Sequence, residues 1–101
     1  MSTGKPITIL LVDDHEIVRQ GLKTVLAQDS RLRIVGEATT AKAAVAGAVA
    51  SKPDVVLLDI RLPDGSGVDA CGDILEQCPA TRVLFLTSYA DDDTVLAAVL
   101  A

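Results

Sequence analysis

Two adjacent carboxylates, Asp13 and Asp14, follow directly on the apolar run "ITILLV", and a third, Asp59, ends the run "VVLL". Thr87 closes a further run, "RVLFL". A single Asp where a strand meets a helix has an ordinary use, as acceptor for free backbone N–H groups at the positive end of the helix dipole. A second, neighbouring Asp exceeds that need and points to a cation. Where such runs are strands of one parallel sheet, their ends share a rim, and like charges about 4 Å apart at an effective dielectric near 20 repel by roughly 4 kcal/mol per pair. Either one carboxyl stays protonated or a divalent cation sits among them. Oxygen donors select a hard ion. Mg²⁺ accepts one or two carboxylates, keeps several waters and completes its octahedron with a phosphate oxygen, whereas Ca²⁺ wants more ligands than this rim offers. Beside Mg²⁺, Asp59 can act as a nucleophile toward a phosphoryl group, and Thr87 can donate its hydroxyl to a phosphoryl oxygen.

The elements that would position these residues are legible in the hydrophobic pattern. Apolar runs occur at Ile7 to Val12, Leu32 to Gly36, Val55 to Ile60 and Val83 to Thr87. The first, third and fourth are nearly continuous, as strands buried on both faces require. Between them lie helical patterns. Ile17, Val18, Gly21, Leu22, Val25 and Leu26 share one face of a first helix; "TAKAAVAGAVASK" and Val68 to Cys78 give the second and third. A fourth is expected from "DDDTVLAAVLA", with Val95, Leu96, Val99 and Leu100 on one side. Strands alternating with helices imply right-handed crossovers and an α/β, doubly wound parallel sheet. Ligands bind such sheets at the carboxyl ends of the strands, the rim that Asp13, Asp14, Asp59 and Thr87 occupy.

Composition sets the class. At 101 residues the chain holds one domain; 50% of residues are hydrophobic and only 2% aromatic, so Val, Leu, Ile and Ala must build the core. The net charge of −5 excludes a phosphate-neutralising nucleic-acid surface on this segment. "MSTGKP" is unlike a signal peptide and the run behind it is too short to span a membrane, so a cytoplasmic location with no membrane partner is expected. Cys71 and Cys78 are seven apart in a helical segment, a rise of ~10 Å that forbids a disulfide, and read as small buried hydrophobes beside Val68 and Leu75. His15, the sole histidine, reads as a structural residue at a helix start.

"ILLVDDHEIVRQGL", "PDVVLLDIRLPDGSG" and "RVLFLTSY" resemble the receiver domain of bacterial two-component response regulators, and "DDHEIVRQGL" with the loop "RLPDGSG" is most similar to the NarL/FixJ (LuxR-type) subfamily. The resemblance spans nearly the whole chain. It implies a flavodoxin-like, CheY-like sheet of order 2-1-3-4, with the family's fifth strand and helix missing, over a receiver domain of residues 1–101 that is incomplete at its C-terminus. It further implies that Asp59 is phosphorylated by a sensor histidine kinase, that Asp14 and Asp59 ligate Mg²⁺, that Asp13 holds a metal-bound water, and that the backbone carbonyl of Arg61 completes the set. Thr87 would contact the phosphoryl group and Tyr89 would respond in the switch. DNA would be bound only through a C-terminal domain absent here.

Independently, Pro63, Asp64 and Gly65 suit a type I turn, and Ser66 with Asp69 a capping box for the third helix, so turn chemistry is the reading for these residues. The family's phosphoryl-contacting Lys ends its fifth strand; the last lysine here is Lys52, leaving that role unfilled. Without the fifth strand, residues 82–87 would be an open sheet edge, so a homodimer through the fourth strand and fourth helix is expected. The rival is a folded, non-signalling interaction fragment. A haloacid-dehalogenase-type phosphatase would need an acid where Arg61 stands, and a Rossmann nucleotide site would need a glycine-rich turn where "DDHEI" stands.

Overall fold

The apolar runs form strands whose burial follows their composition. The computed structural model describes residues 5–88 and 96–100. In chain order the elements are β1 (Ile7–Val12), α1 (Glu16–Leu26), β2 (Leu32–Ala38), α2 (Ala41–Ser51), β3 (Val55–Asp59), β4 (Arg61–Leu62), β5 (Gly65–Ser66), α3 (Gly67–Gln77), β6 (Arg82–Ser88) and β7 (Leu96–Leu100). The main sheet has the order β2-β1-β3-β6-β7. Its first four members are parallel, as expected.

Alternation along the strands divides the core between two faces. Leu10, Val12, Val56, Leu58 and Val83 meet Ala44 and Ala48 of α2 and Ala70, Cys71 and Ile74 of α3. Ile9, Leu11, Leu57 and Leu86 point the other way, toward Leu22 and Leu26 of α1. Ala44 and Ala48 are fully buried, which is why an Ala-rich helix serves here: small side chains let α2 lie close to the sheet. Both cysteines are free and buried.

Two expectations are corrected. The segment expected as a fourth helix runs as a strand: Leu96–Leu100 pairs antiparallel with β6, from Leu84↔Leu100 to Ser88↔Leu96. Val95 lies outside the described residues. An apolar stretch this short satisfies a strand as readily as a helix face, and the backbone groups of β6 decide the matter by pairing with it. Residues 82–87 are therefore not an open edge; β7 covers them, and the dimer expectation loses the premise that β6 is free. The apolar stripe of α1 is only partly used. Leu22 and Leu26 pack, while Ile17 is 84% and Val25 63% exposed. An open cleft of about 410 Å³ runs beside them, bounded by Val18, Gly21 and Leu86. Val68, placed by the sequence on the apolar stripe of α3, is likewise exposed.

Candidate acidic cation site

Strand register brings the acidic residues together. Val12 is level with Leu58, so Asp13, the next residue, emerges beside Asp59. Asp59 is in turn level with Leu86 on β6, which puts the backbone of Thr87 one step beyond it on the adjacent strand. The Thr87 side chain and the whole of Tyr89 lie outside what is described. One donor atom from each of Asp13, Asp14, His15 and Asp59 lies within 4.8 Å of all the others.

Local chemistry fixes each group. The Asp13 carboxylate is buried, its side chain 6% exposed, and its Oδ1 accepts the backbone N–H of His15 at 2.8 Å. That bond turns the chain into α1, the cap-like use anticipated for an Asp here. Asp13 N–H donates to the Ala38 carbonyl at 3.1 Å, and the Asp13 carbonyl accepts from Arg19 Nη1 at 2.8 Å. Arg19 Nε and Lys23 Nζ both bond Glu37 of β2, at 3.0 and 2.9 Å, tying α1 to the sheet edge and holding the acidic loop from outside. The imidazole of His15 sits between the acidic pair, its Nδ1 2.8 Å from Asp13 Oδ1 and 3.2 Å from Asp14 Oδ1. The hydrogen bond to Asp13, then the charges of Asp14 and Asp13, raise its pKa above the ordinary 6.5.

Asp59 is half-buried. Burial first, then the charges of Asp13 and Asp14, push its carboxyl above the ordinary 3.8, against a lowering by the Arg61 N–H that donates to Asp59 Oδ1 at 3.3 Å. The loop after it is a small hairpin: Arg61 pairs with Ser66 and Leu62 with Gly65, leaving Pro63 and Asp64 as the turn. Ser66 caps α3 by accepting Val68 N–H at 3.0 Å, one residue earlier than the Asp69 position of a capping box. Asp64 does more than turn the chain. Its carboxylate accepts the N–H groups of Ala41 (2.7 Å) and Lys42 (3.1 Å), capping α2 from another loop beside the native cap Thr40, and these bonds hold its pKa below 3.8.

Sequence reasoning missed two residues of this site. His15 belongs to the cluster; its place directly after the acidic pair was the available signal. Gly67 supports Asp59 from below: its N–H donates to the Ile60 carbonyl at 2.7 Å, and a Cβ there would overlap the Asp59 carbonyl oxygen. The "GSG" at the start of α3 carried that signal. Lys52 lies at the opposite end of β3 from Asp59, where it closes α2 in a left-handed conformation (φ 46°). Among the described residues, no helix is long and apolar enough to cross a membrane.

Comparison with known proteins agrees with this geometry. Residues 9–101 match the response regulator receiver domain family. The chain is 48% identical over 95 residues to the DNA-binding transcriptional activator DevR/DosR of Mycobacterium tuberculosis, covering 94% of this chain and 44% of that protein. It thus spans less than half the length of that relative. Among solved structures, a LuxR-family two-component response regulator from Aurantimonas sp. superposes with a TM-score of 0.79 at 33% identity, over 84% of this chain and 61% of that one. The response regulator domain of Thermotoga maritima CheB superposes with a TM-score of 0.78 at 31% identity, over 90% and 67%. Carboxylates gathered where β1 and β3 end are thus set in a CheY-like sheet shared with these proteins, and the chain belongs to the response regulator receiver domains of two-component systems.

Proposed function

We propose that this receiver domain is a phospho-accepting module in which Asp59 takes a phosphoryl group from a phosphohistidine of a sensor histidine kinase. The observation that supports this most is the convergence of Asp13, Asp14 and Asp59 at the carboxyl ends of neighbouring parallel strands. Such a donor set fits Mg²⁺, with Asp14 and Asp59 as direct ligands, Asp13 acting through a water and the Arg61 carbonyl completing the protein's share. When bound, the ion supplies positive charge that offsets the phosphoryl oxygens and the carboxylates together.

The remaining chemistry belongs to the chain. An Asp59 carboxylate oxygen attacks phosphorus; the O–P bond forms as the P–N bond to the donor imidazole breaks, and the electron pair leaves with that nitrogen, which is protonated from solvent. Thr87 donates its hydroxyl to a phosphoryl oxygen, Tyr89 responds as part of the switch, and Arg61, whose N–H bonds Asp59 Oδ1, restricts the attacking water. Hydrolysis resets the module, so it modifies itself and does not turn over an external substrate. The output is transcription regulation in the cytoplasm through a DNA-binding domain outside these residues, the relative DevR/DosR being a DNA-binding activator.

Incubation with acetyl phosphate and Mg²⁺, read by intact mass, tests the proposal. One phosphoryl group should be gained by the wild type and none by Asp59→Ala or with chelator present. A gain that survives Asp59→Ala would overturn it, and a folded, Mg²⁺-binding chain that never gains mass would be an interaction fragment instead.

A further inference from the structure

Arg19 fills a gap that the helix ladder leaves open. The first bond of α1 runs from the Arg19 N–H to the His15 carbonyl at 3.1 Å, so the carbonyl of Asp13 falls outside the helix. Asp13 is buried, and a buried carbonyl needs a donor. Among the described residues that donor is a side chain, Arg19 Nη1 at 2.8 Å. The guanidinium is itself held, since its Nε donates to Glu37 Oε1 at 3.0 Å and the side chain is only 16% exposed. Because the guanidinium is a rigid planar fork, anchoring Nε on β2 fixes where Nη1 points.

The oxygen so held belongs to the peptide unit that carries Asp14. Asp13 is secured elsewhere, its N–H on the Ala38 carbonyl and its carboxylate on the His15 N–H. The Asp14 carboxylate is a third exposed, and among the described residues its ion-pair contact is the His15 ring at 3.2 Å. Where Asp14 lies therefore depends on the plane of the peptide between residues 13 and 14, which can turn about the soft dihedrals on either side. Resting on the reading that Asp13, Asp14 and Asp59 hold Mg²⁺, we infer that Arg19 is a positioning residue: by bonding the Asp13 carbonyl it keeps Asp14 in register with the ion and raises Mg²⁺ affinity without touching the ion. Mg²⁺ demands near-ideal octahedral geometry, so a displaced carboxylate is costly. Lys23 also bonds Glu37, at 2.9 Å, but not the Asp13 carbonyl, and has no such part.

Calorimetric titration of the whole chain with Mg²⁺, in wild type, Arg19→Ala, Arg19→Lys and Lys23→Met, tests this. Arg19→Ala should weaken binding about 10- to 100-fold, the loss expected when an outer partner of a metal site is removed. Arg19→Lys, a milder change that keeps the charge and loses the fork, should weaken it as well, and Lys23→Met should bind as wild type does. Acetyl phosphate labelling should show the same division: Arg19→Ala needs more Mg²⁺ for half-maximal rate and reaches the wild-type rate at saturation. In the metal-free proteins, the carbonyl carbon resonance of Asp13 should move upfield in Arg19→Ala and stay in place in Lys23→Met. A folded Arg19→Ala or Arg19→Lys chain with wild-type Mg²⁺ affinity, or equal losses in the Arg19 and Lys23 variants, would overturn the positioning role and leave the acidic site standing. Failure of the wild type to bind Mg²⁺ would overturn both.

Discussion

At the scale of single residues, Asp59 and Gly67 show how position and chemistry are coupled. Burial and the neighbouring carboxylates disfavour the Asp59 anion, so its contribution to stability falls as pH rises from the ordinary 3.8 through its raised folded-state value. At neutral pH without metal, Asp59→Asn should therefore raise the urea midpoint; a lowered midpoint would contradict the repulsion. Mg²⁺ at tenfold to a hundredfold above its dissociation constant should stabilise the wild type by about 1.4 to 2.7 kcal/mol and leave Asp14→Asn unmoved. Thermal melts with and without Mg²⁺ check this. Gly67→Ala forces a methyl group against the Asp59 backbone, and overpacking of this kind costs about 1 to 3 kcal/mol. Urea unfolding measures the cost, and a neutral substitution would remove Gly67 from the support of Asp59. Asp13, Asp14 and Asp59 were legible in the sequence because strand ends announce a rim. His15 and Gly67 were marked only by their places after the acidic pair and in "GSG", because one acts through a convergence and the other through a close approach, neither of which has a sequence period.

Among the elements, α2 depends on a cap borrowed from the β3–α3 connection. The depressed pKa of Asp64 means that its support of Ala41 and Lys42 is present above pH 3.8 and lost as pH falls through the folded-state value. Asp64→Ala should lower the unfolding midpoint at pH 7, and the gap to wild type should close on acidification. A gap that stays constant would mean that the carboxylate charge is irrelevant to the cap. In the sequence Asp64 is legible only as a turn former, since a cap supplied from 22 or more residues away leaves no local mark. The helices divide in the same way. Ile74 of α3 is fully buried and Ile74→Ala should cost about 2 to 5 kcal/mol, whereas Val25→Lys on the open face of α1 should change stability by no more than about 0.5 kcal/mol. Periodicity revealed that α1 has an apolar stripe; it cannot say how much of that stripe a neighbour covers.

For the molecule as a whole, the parallel α/β class was legible from apolar runs alternating with helical patterns and the order β2-β1-β3-β6 from the resemblance to receiver domains, whereas the return of Leu96–Leu100 along β6 was not. "VLAAVL" fits a helix period and a strand equally, and only the partner strand distinguishes them. The sheet delivers three strand ends to one rim, and the account stands on what happens there. Its most direct test is to treat the chain with acetyl phosphate and Mg²⁺, reduce it at once with borohydride, which converts an acyl phosphate to the corresponding alcohol, and map the peptides. The account predicts homoserine at position 59 and nowhere else, in an amount that falls to background in Asp14→Asn. Reduction at Asp13, Asp14 or another carboxylate, with position 59 unmodified, would contradict it.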